Sequence, residues 1–192
     1  AKSQGRDPSC IVAVPSAGDA RNDPSVIEVL QTGDPLPEVP LGEVSPIAGD
    51  AAYRFVVEAC ALAKRGAIDG IATAPLNKAA MHAGGHRWPG HTEILALLFG
   101  VADYSLVLSS DDLFVFHLTT HVSLRDAIDL IDADRLDSTL VLAGAFAKAV
   151  GQEDAVIGLS GLNPHAGESG LFGTEEIDLY TPAVKRARAR GF

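Results

Sequence analysis

Two hydrophobic rhythms take turns along this chain, and their alternation limits the fold more than any other feature. Short β-type runs stand at residues 10–14, 68–74 and 155–159, each closing into Pro, Ser or Gly. Between them lie longer stretches with apolar residues at helical spacing. In residues 50–65, Tyr53, Val56, Val57 and Cys60 recur at i, i+3, i+4 and i+7, with Asp50 placed to cap the start and Gly66 the end. Further helices are predicted over 77–83, 91–99, 123–130 and 134–150, and a last one opens at Thr181-Pro182. Residues 104–109 and 113–118 read as a hairpin around Ser110, Asp111 and Asp112. Strands and helices alternating through short joints point to an α/β fold. Residues 19–49 are the exception: Pro24, Pro35, Pro37, Pro40 and Pro46 interrupt every candidate element except Val26–Leu30, which predicts an irregular covering segment. With no repeat and no internal boundary, residues 1–192 read as a single α/β unit.

The run 155–159 leads into Ser160-Gly161-Leu162-Asn163-Pro164-His165-Ala166-Gly167-Glu168, a strand end breaking into glycines around one imidazole and one carboxylate. In open α/β sheets ligands bind at such carboxyl ends of strands. Of the six histidines, three sit at element junctions among small or polar neighbours: His91 after Pro89-Gly90, His121 after Thr119-Thr120, and His165. Their separations of 30 and 44 residues are unlike a zinc finger and suit metal ligands gathered by folding. Taken singly, a histidine is more often a surface or hydrogen-bonded structural residue than a ligand. His117 reads as a strand residue, and His82 and His86 as solvent-exposed. Lys78 and Arg125, each on the first turn of a predicted helix, could meet an anion or simply face water.

Other classes are excluded by what the chain lacks. A net charge of -10 argues against a nucleic-acid binder. No apolar run reaches the ~20 residues of a membrane span. Cys10 and Cys60, 50 positions apart, make no redox or metal motif, and a reduced, cytoplasmic protein is expected. There is no Gly-x-Gly-x-x-Gly, no phosphate loop ending in Lys-Ser/Thr, and no Gly-x-Ser-x-Gly elbow.

Three stretches together resemble one family: Ala74-Pro75-Leu76-Asn77-Lys78 with Pro89-Gly90-His91-Thr92-Glu93; Thr119-Thr120-His121 with Leu124-Arg125-Asp126; and Gly161 to Glu168 with Gly173-Thr174-Glu175-Glu176. Their order and spacing are similar to 4-hydroxythreonine-4-phosphate dehydrogenases, the PdxA type. The resemblance implies an isocitrate/isopropylmalate-dehydrogenase-like fold and a homodimer with its site between subunits. It further implies oxidation of a secondary alcohol by NAD(P)+ at a divalent metal (Zn, Mg, Mn or Co), followed by loss of CO2. On the matching motifs, His91 and Thr92 contact a small phosphorylated hydroxy-acid substrate, while His121 and His165 bind the metal. Asn163 and Glu168 then shape the loop. No catalytic group or cofactor contact falls on a matching position. The family's third metal histidine, in a Tyr-His-Asp-Gln-Gly-like motif, and an N-terminal Gly-Asp-Pro-x-Gly-like motif are absent. The chain is therefore expected to be a central portion, lacking N- and C-terminal segments and catalytically incomplete.

The expected substrate is 4-hydroxy-L-threonine 4-phosphate, on the way to pyridoxal phosphate, with D-threonate or D-erythronate 4-phosphate as the alternative. Two other classes stay open: a metal-dependent hydrolase built on His121 and His165, and a non-catalytic metal- or metabolite-binding dimer module.

Overall fold

The computed structural model describes residues 5, 7–21, 23–111 and 113–191; Asp112, in the expected hairpin turn, lies outside them. The contacts divide into two compact units, Ala1–Gly100 and Val101–Phe192. The single unit expected over 1–192 thus corresponds to two clusters.

In the first unit β1 (Ile11–Val14) pairs in parallel with β2 (Ile27–Leu30), from Ile11↔Ile27 to Val14↔Leu30. The segment expected to be irregular therefore contributes a strand at Ile27–Leu30, the one run that its prolines spare. Helix α1 (Pro46–Lys64) starts four residues before the expected Asp50. The cause is a Ser-Pro signal: Ser45 Oγ accepts from the Ala48 amide at 3.3 Å, and Pro46 needs no helical partner for its missing N–H.

Asn77 caps α2 (Lys78–Ala83) in the same way, 2.9 Å from the Ala80 amide. Helices α1 and α2 meet through glycine. A Cβ on Gly49 would fall inside the Ala80 backbone, and one on Gly84 would lie 2.7 Å from the Pro46 carbonyl oxygen. Asp50, released from capping, takes the Arg54 Nε–H at 2.9 Å and faces His86 Nε2 at 2.9 Å. The His86 ring stacks on Tyr53 with centroids 3.9 Å apart, so His86 is a packed residue rather than the solvent-exposed one expected. Helix α3 (His91–Phe99) ends at Gly100 with φ 70. Val56, Cys60, Met81 and Ile94 form the buried core of this unit.

In the second unit β3 (Val107–Ser110) and β4 (Leu113–Phe116) make the expected antiparallel hairpin. Ser123 caps α4 (Leu124–Asp129) as its sequence pattern predicts, and Asp132 caps α5 (Ala133–Ala149) by accepting from the Arg135 amide at 2.7 Å. A five-residue π-helical turn, Glu176–Tyr180, runs directly into α6 (Thr181–Ala189). Leu136 and Leu140 of α5 bury against Tyr180, Ala183 and Ala187. Outside that core Arg186 forks onto Asp137, Nε to Oδ2 at 2.7 Å and Nη2 to Oδ1 at 3.0 Å.

The runs 68–74 and 155–159, expected as strands, carry no ladder, so among the described residues the sheets are two separate strand pairs. A strand requires a neighbouring edge, and neither run has one within its unit. The period-2 pattern nevertheless survives: Ile157 and Leu159 pack on the second core while Val156, just before Ile157, is 96% exposed. No helix among the described residues is long and apolar enough to cross a membrane.

The fork to Arg186 holds the Asp137 carboxyl below the usual aspartate range, with burial opposing and the charges of Arg186 and Arg190 adding. A depressed folded pKa stabilises above the unfolded value of about 3.9, and that contribution fades as pH falls through the folded value. Asp137→Asn is expected to lower the thermal midpoint at neutral pH and to flatten the acid limb of stability below about pH 4. Urea unfolding across pH checks this; an unchanged acid limb would remove the pair from the account.

Candidate functional site

The loop after residue 160 adopts a conformation rare for L-amino acids. His165 (φ 52, ψ 30), Ala166 (52, 42), Gly167 (78, -4), Glu168 (42, 60) and Ser169 (60, 28) all lie in the left-handed region, and Gly170 follows at φ 95. This is one turn of left-handed helix, with Asn163 as its extended lead-in. Three backbone bonds brace it: Ala166 N–H to Asn163 O, Leu171 N–H to Glu168 O, and Phe172 N–H to Gly167 O, at 3.1, 3.3 and 3.1 Å. The His165 side chain is exposed, its ring 6.4 Å from that of Phe172.

Beneath the turn lies a polar knot. Glu176 Oε1 accepts the amides of Leu162 and Asn163 at 2.8 and 2.7 Å, and its Oε2 accepts Asn163 Nδ2 at 2.9 Å. The same Nδ2 donates to Glu175 Oε2 at 2.6 Å. Donated hydrogen bonds stabilise the ionised form. The Asn163 amide first, then its side chain, accordingly hold the Glu176 carboxyl below the usual glutamate range. Burial pushes the Tyr180 hydroxyl up, and the charges of Glu176 and Glu175 push in the same direction. Glycine is required where the knot is tightest: a Cβ on Gly167 would stand 2.7 Å from the Gly173 carbonyl oxygen and 3.1 Å from Glu176 Oε2.

Asn163 thus shapes the loop as expected, whereas Glu168 is exposed on the turn and contributes its backbone. The sequence offers Glu176 only as the end of Gly173-Thr174-Glu175-Glu176, with no role attached to it. The signal that could have found it is the pair Gly167 and Gly173 ahead of a Glu that is buried to 8% exposure.

His121 belongs to the same unit as His165 and shares its unusual backbone, with φ 57. Two of the chain's six histidines are left-handed, and they are the two expected to bind metal. Strained φ/ψ values outside glycine concentrate at functional sites. Arg135 steadies the approach to His121: its Nε donates to the Leu118 carbonyl at 2.6 Å and Nη2 to the Tyr104 carbonyl at 3.0 Å. As ligand chemistry, two imidazoles fit a divalent transition metal, which normally takes about three protein ligands. Among the described residues no group of three or more His, Cys, Asp or Glu side chains could hold one.

His91 and Thr92, in the first unit, open α3 on Gly90, which offers no side-chain cap. Helices α1, α2, α4 and α5 each have one, from Ser45, Asn77, Ser123 and Asp132. The start of α3 is thus without a side-chain cap, and helix N-termini are where anions bind. Lys78, which opens α2, and Arg125 on α4 are both exposed.

Gly167→Ala is expected to cost about 2–4 kcal/mol, combining overpacking against the Gly173 carbonyl with a left-handed alanine. Urea denaturation measures it, and a loss under about 0.5 kcal/mol, the scale of an ordinary surface substitution, would show that the turn relaxes freely.

Comparison with known proteins places this geometry. The chain is 54% identical over 187 residues to a D-threonate 4-phosphate dehydrogenase of Bordetella bronchiseptica, which covers 97% of this chain and 53% of the relative. It is 42% identical over 173 residues to a 4-hydroxythreonine-4-phosphate dehydrogenase of Beijerinckia indica, covering 90% of this chain and 51% of that one. The crystal structure of 4-hydroxythreonine-4-phosphate dehydrogenase from Klebsiella pneumoniae superposes with a TM-score of 0.86 at 43% identity, over 94% of this chain and 55% of that structure. The chain spans about half the length of the relatives it matches. The family model for the pyridoxal phosphate biosynthetic protein PdxA matches residues 7–192, and the chain belongs to that family of α/β dehydrogenases.

Proposed function

We propose that this protein carries the metal- and substrate-binding part of a dehydrogenase that oxidises D-threonate 4-phosphate with NAD(P)+. The observation that carries the substrate is the ranking of relatives: 54% identity to a protein named for D-threonate 4-phosphate, against 42% to one named for 4-hydroxythreonine 4-phosphate. The expectation of 4-hydroxy-L-threonine 4-phosphate gives way to its alternative on that ground. The site itself is supported by the paired left-handed backbones of His121 and His165.

In this reading each residue has a defined task. His91 and Thr92, at the start of α3 that no side chain caps, receive an anionic end of the substrate through the first helical turn and their own side chains. His121 and His165 supply imidazole nitrogens to a divalent cation, with the remaining ligand coming from outside these residues. A cation held there draws charge from the substrate's oxygens and so favours loss of the hydroxyl proton. Bound NAD(P)+ would supply the acceptor for the carbinol hydrogen as hydride, with the hydroxyl proton passing to solvent. The ketone β to the carboxylate would then lose CO2 and take up a proton to give a phosphorylated ketone. A cytoplasmic homodimer, with the site completed between subunits, accords with the family resemblance.

The test compares this chain with a fusion carrying the remaining length of the Bordetella relative. NADH formation is followed with each of the two phosphorylated substrates and added Zn, Mg, Mn or Co. The fusion is expected to favour D-threonate 4-phosphate in kcat/KM by tenfold or more, about 1.4 kcal/mol in the barrier. His121→Ala and His165→Ala are each expected to lower it more than about 100-fold, beyond the usual loss at a ligand's supporting residues. The opposite preference would overturn the substrate assignment; a fusion inert toward both would overturn the activity.

A further inference from the structure

We propose that Glu176 is the positioning residue for His165. Its carboxylate anchors the segment Leu162–Asn163 and thereby holds the left-handed turn that presents the imidazole. This rests on the reading of His165 as a metal ligand, although the geometry stands apart from it.

Four consecutive observations connect the carboxylate to the ring. Tyr180 is buried against α5 with Ala183 and Ala187, which fixes the far end of the π-helical turn in the core. The wide turn, closed by the Thr181 amide on the Glu176 carbonyl, sets Glu176 at its first position with its side chain buried. From there the carboxylate takes two successive amides, Leu162 and Asn163, and the Asn163 side chain as well. Only Pro164 separates this anchored pair from His165. Because the proline ring fixes its own φ, little freedom remains between anchor and imidazole.

The turn's three internal bonds close it on its own neighbours in the chain. Glu176 joins it to a residue 13 positions away from Asn163 that is tied to the core. Gly167 confirms the closeness, because any Cβ there would press on Glu176 Oε2 at 3.1 Å. Four non-glycine residues in left-handed conformation are opposed by roughly 1–2 kcal/mol each, so losing the anchor should release them. Glu175 is not equivalent, since its contact is with the Asn163 side chain and not with backbone amides.

The test uses this chain, isotopically labelled, as wild type, Glu176→Ala, Glu176→Gln and Asn163→Ala. Left-handed residues give strong intraresidue amide–Hα Overhauser effects, and these are read at His165, Ala166, Glu168 and Ser169. In parallel Zn2+ is titrated against the imidazole nitrogen shifts of His165 and His121. Glu176→Ala is expected to abolish the strong effects while the hairpin and α5 signals stay in place. It should also raise the Zn2+ midpoint at His165 tenfold or more. Glu176→Gln, which keeps one acceptor for the two amides, is expected to retain the effects in large part. Asn163→Ala, which keeps the amides themselves, should weaken the turn less than Glu176→Ala.

Strong effects persisting unchanged in Glu176→Ala would overturn the proposal; should that variant not fold, a partial weakening in Glu176→Gln supports it and a pattern identical to wild type there overturns it. A turn lost with no change at the His165 Zn2+ midpoint would overturn its link to metal binding. If Zn2+ moves neither imidazole in wild type, the metal reading fails, and the Overhauser comparison still decides the positioning claim.

Discussion

A left-handed turn of L-residues runs uphill by roughly 1–2 kcal/mol for each one, so residues 165–169 can persist only where something outside the turn outweighs that cost. In this protein the counterweight is Glu176. One carboxylate collects two backbone amides and an asparagine side chain. Burying such a charge is tolerable because its lone pairs are answered by donors. The carboxylate's position depends on Tyr180, Ala183 and Ala187 packing on α5, which in turn is joined to α6 by the Arg186–Asp137 fork. Removing any link in that series acts on the same exposed imidazole.

The two units hold their candidate residues by different means. In the first, α3 begins on a glycine with no side-chain cap, while four other helices of the chain spend a side chain on capping. An end left open beside His91 and Thr92 suits an anionic ligand, whose charge would complement the helix dipole. In the second unit strain takes the place of an open end, at His121 and at His165. Arg135, on the first turn of α5, answers the Leu118 carbonyl just ahead of His121 and that of Tyr104 farther back, and Glu176 answers two amides just ahead of His165. Both histidines stand immediately beyond a segment anchored by a charged side chain.

Much of this was legible in the residues. The capping pattern at Ser123, the helical stripe of α1 and the hairpin around Ser110 are local, and they appear where the sequence predicts them. The start of α1 was misread because Asp50 looked like a cap; its carboxylate instead faces His86 and Arg54, partners distant or invisible to a local pattern. Residues 68–74 and 155–159 have strand character, but pairing is a property of two segments, and within each unit no second edge meets them. The candidate histidines came from their junction positions and from family resemblance. The left-handed turn did not, because only Gly167 and Gly170 among its residues advertise positive φ, and His165, Ala166, Glu168 and Ser169 are carried into it by tertiary contacts.

The central claim is that His121 and His165 coordinate one metal ion. X-ray absorption spectroscopy of the Zn2+-loaded chain tests it most directly. Two imidazole nitrogens at about 2.0–2.1 Å are predicted, with one lost in His121→Ala and one lost in His165→Ala. A shell of oxygens alone, or an imidazole count that neither substitution changes, would contradict it.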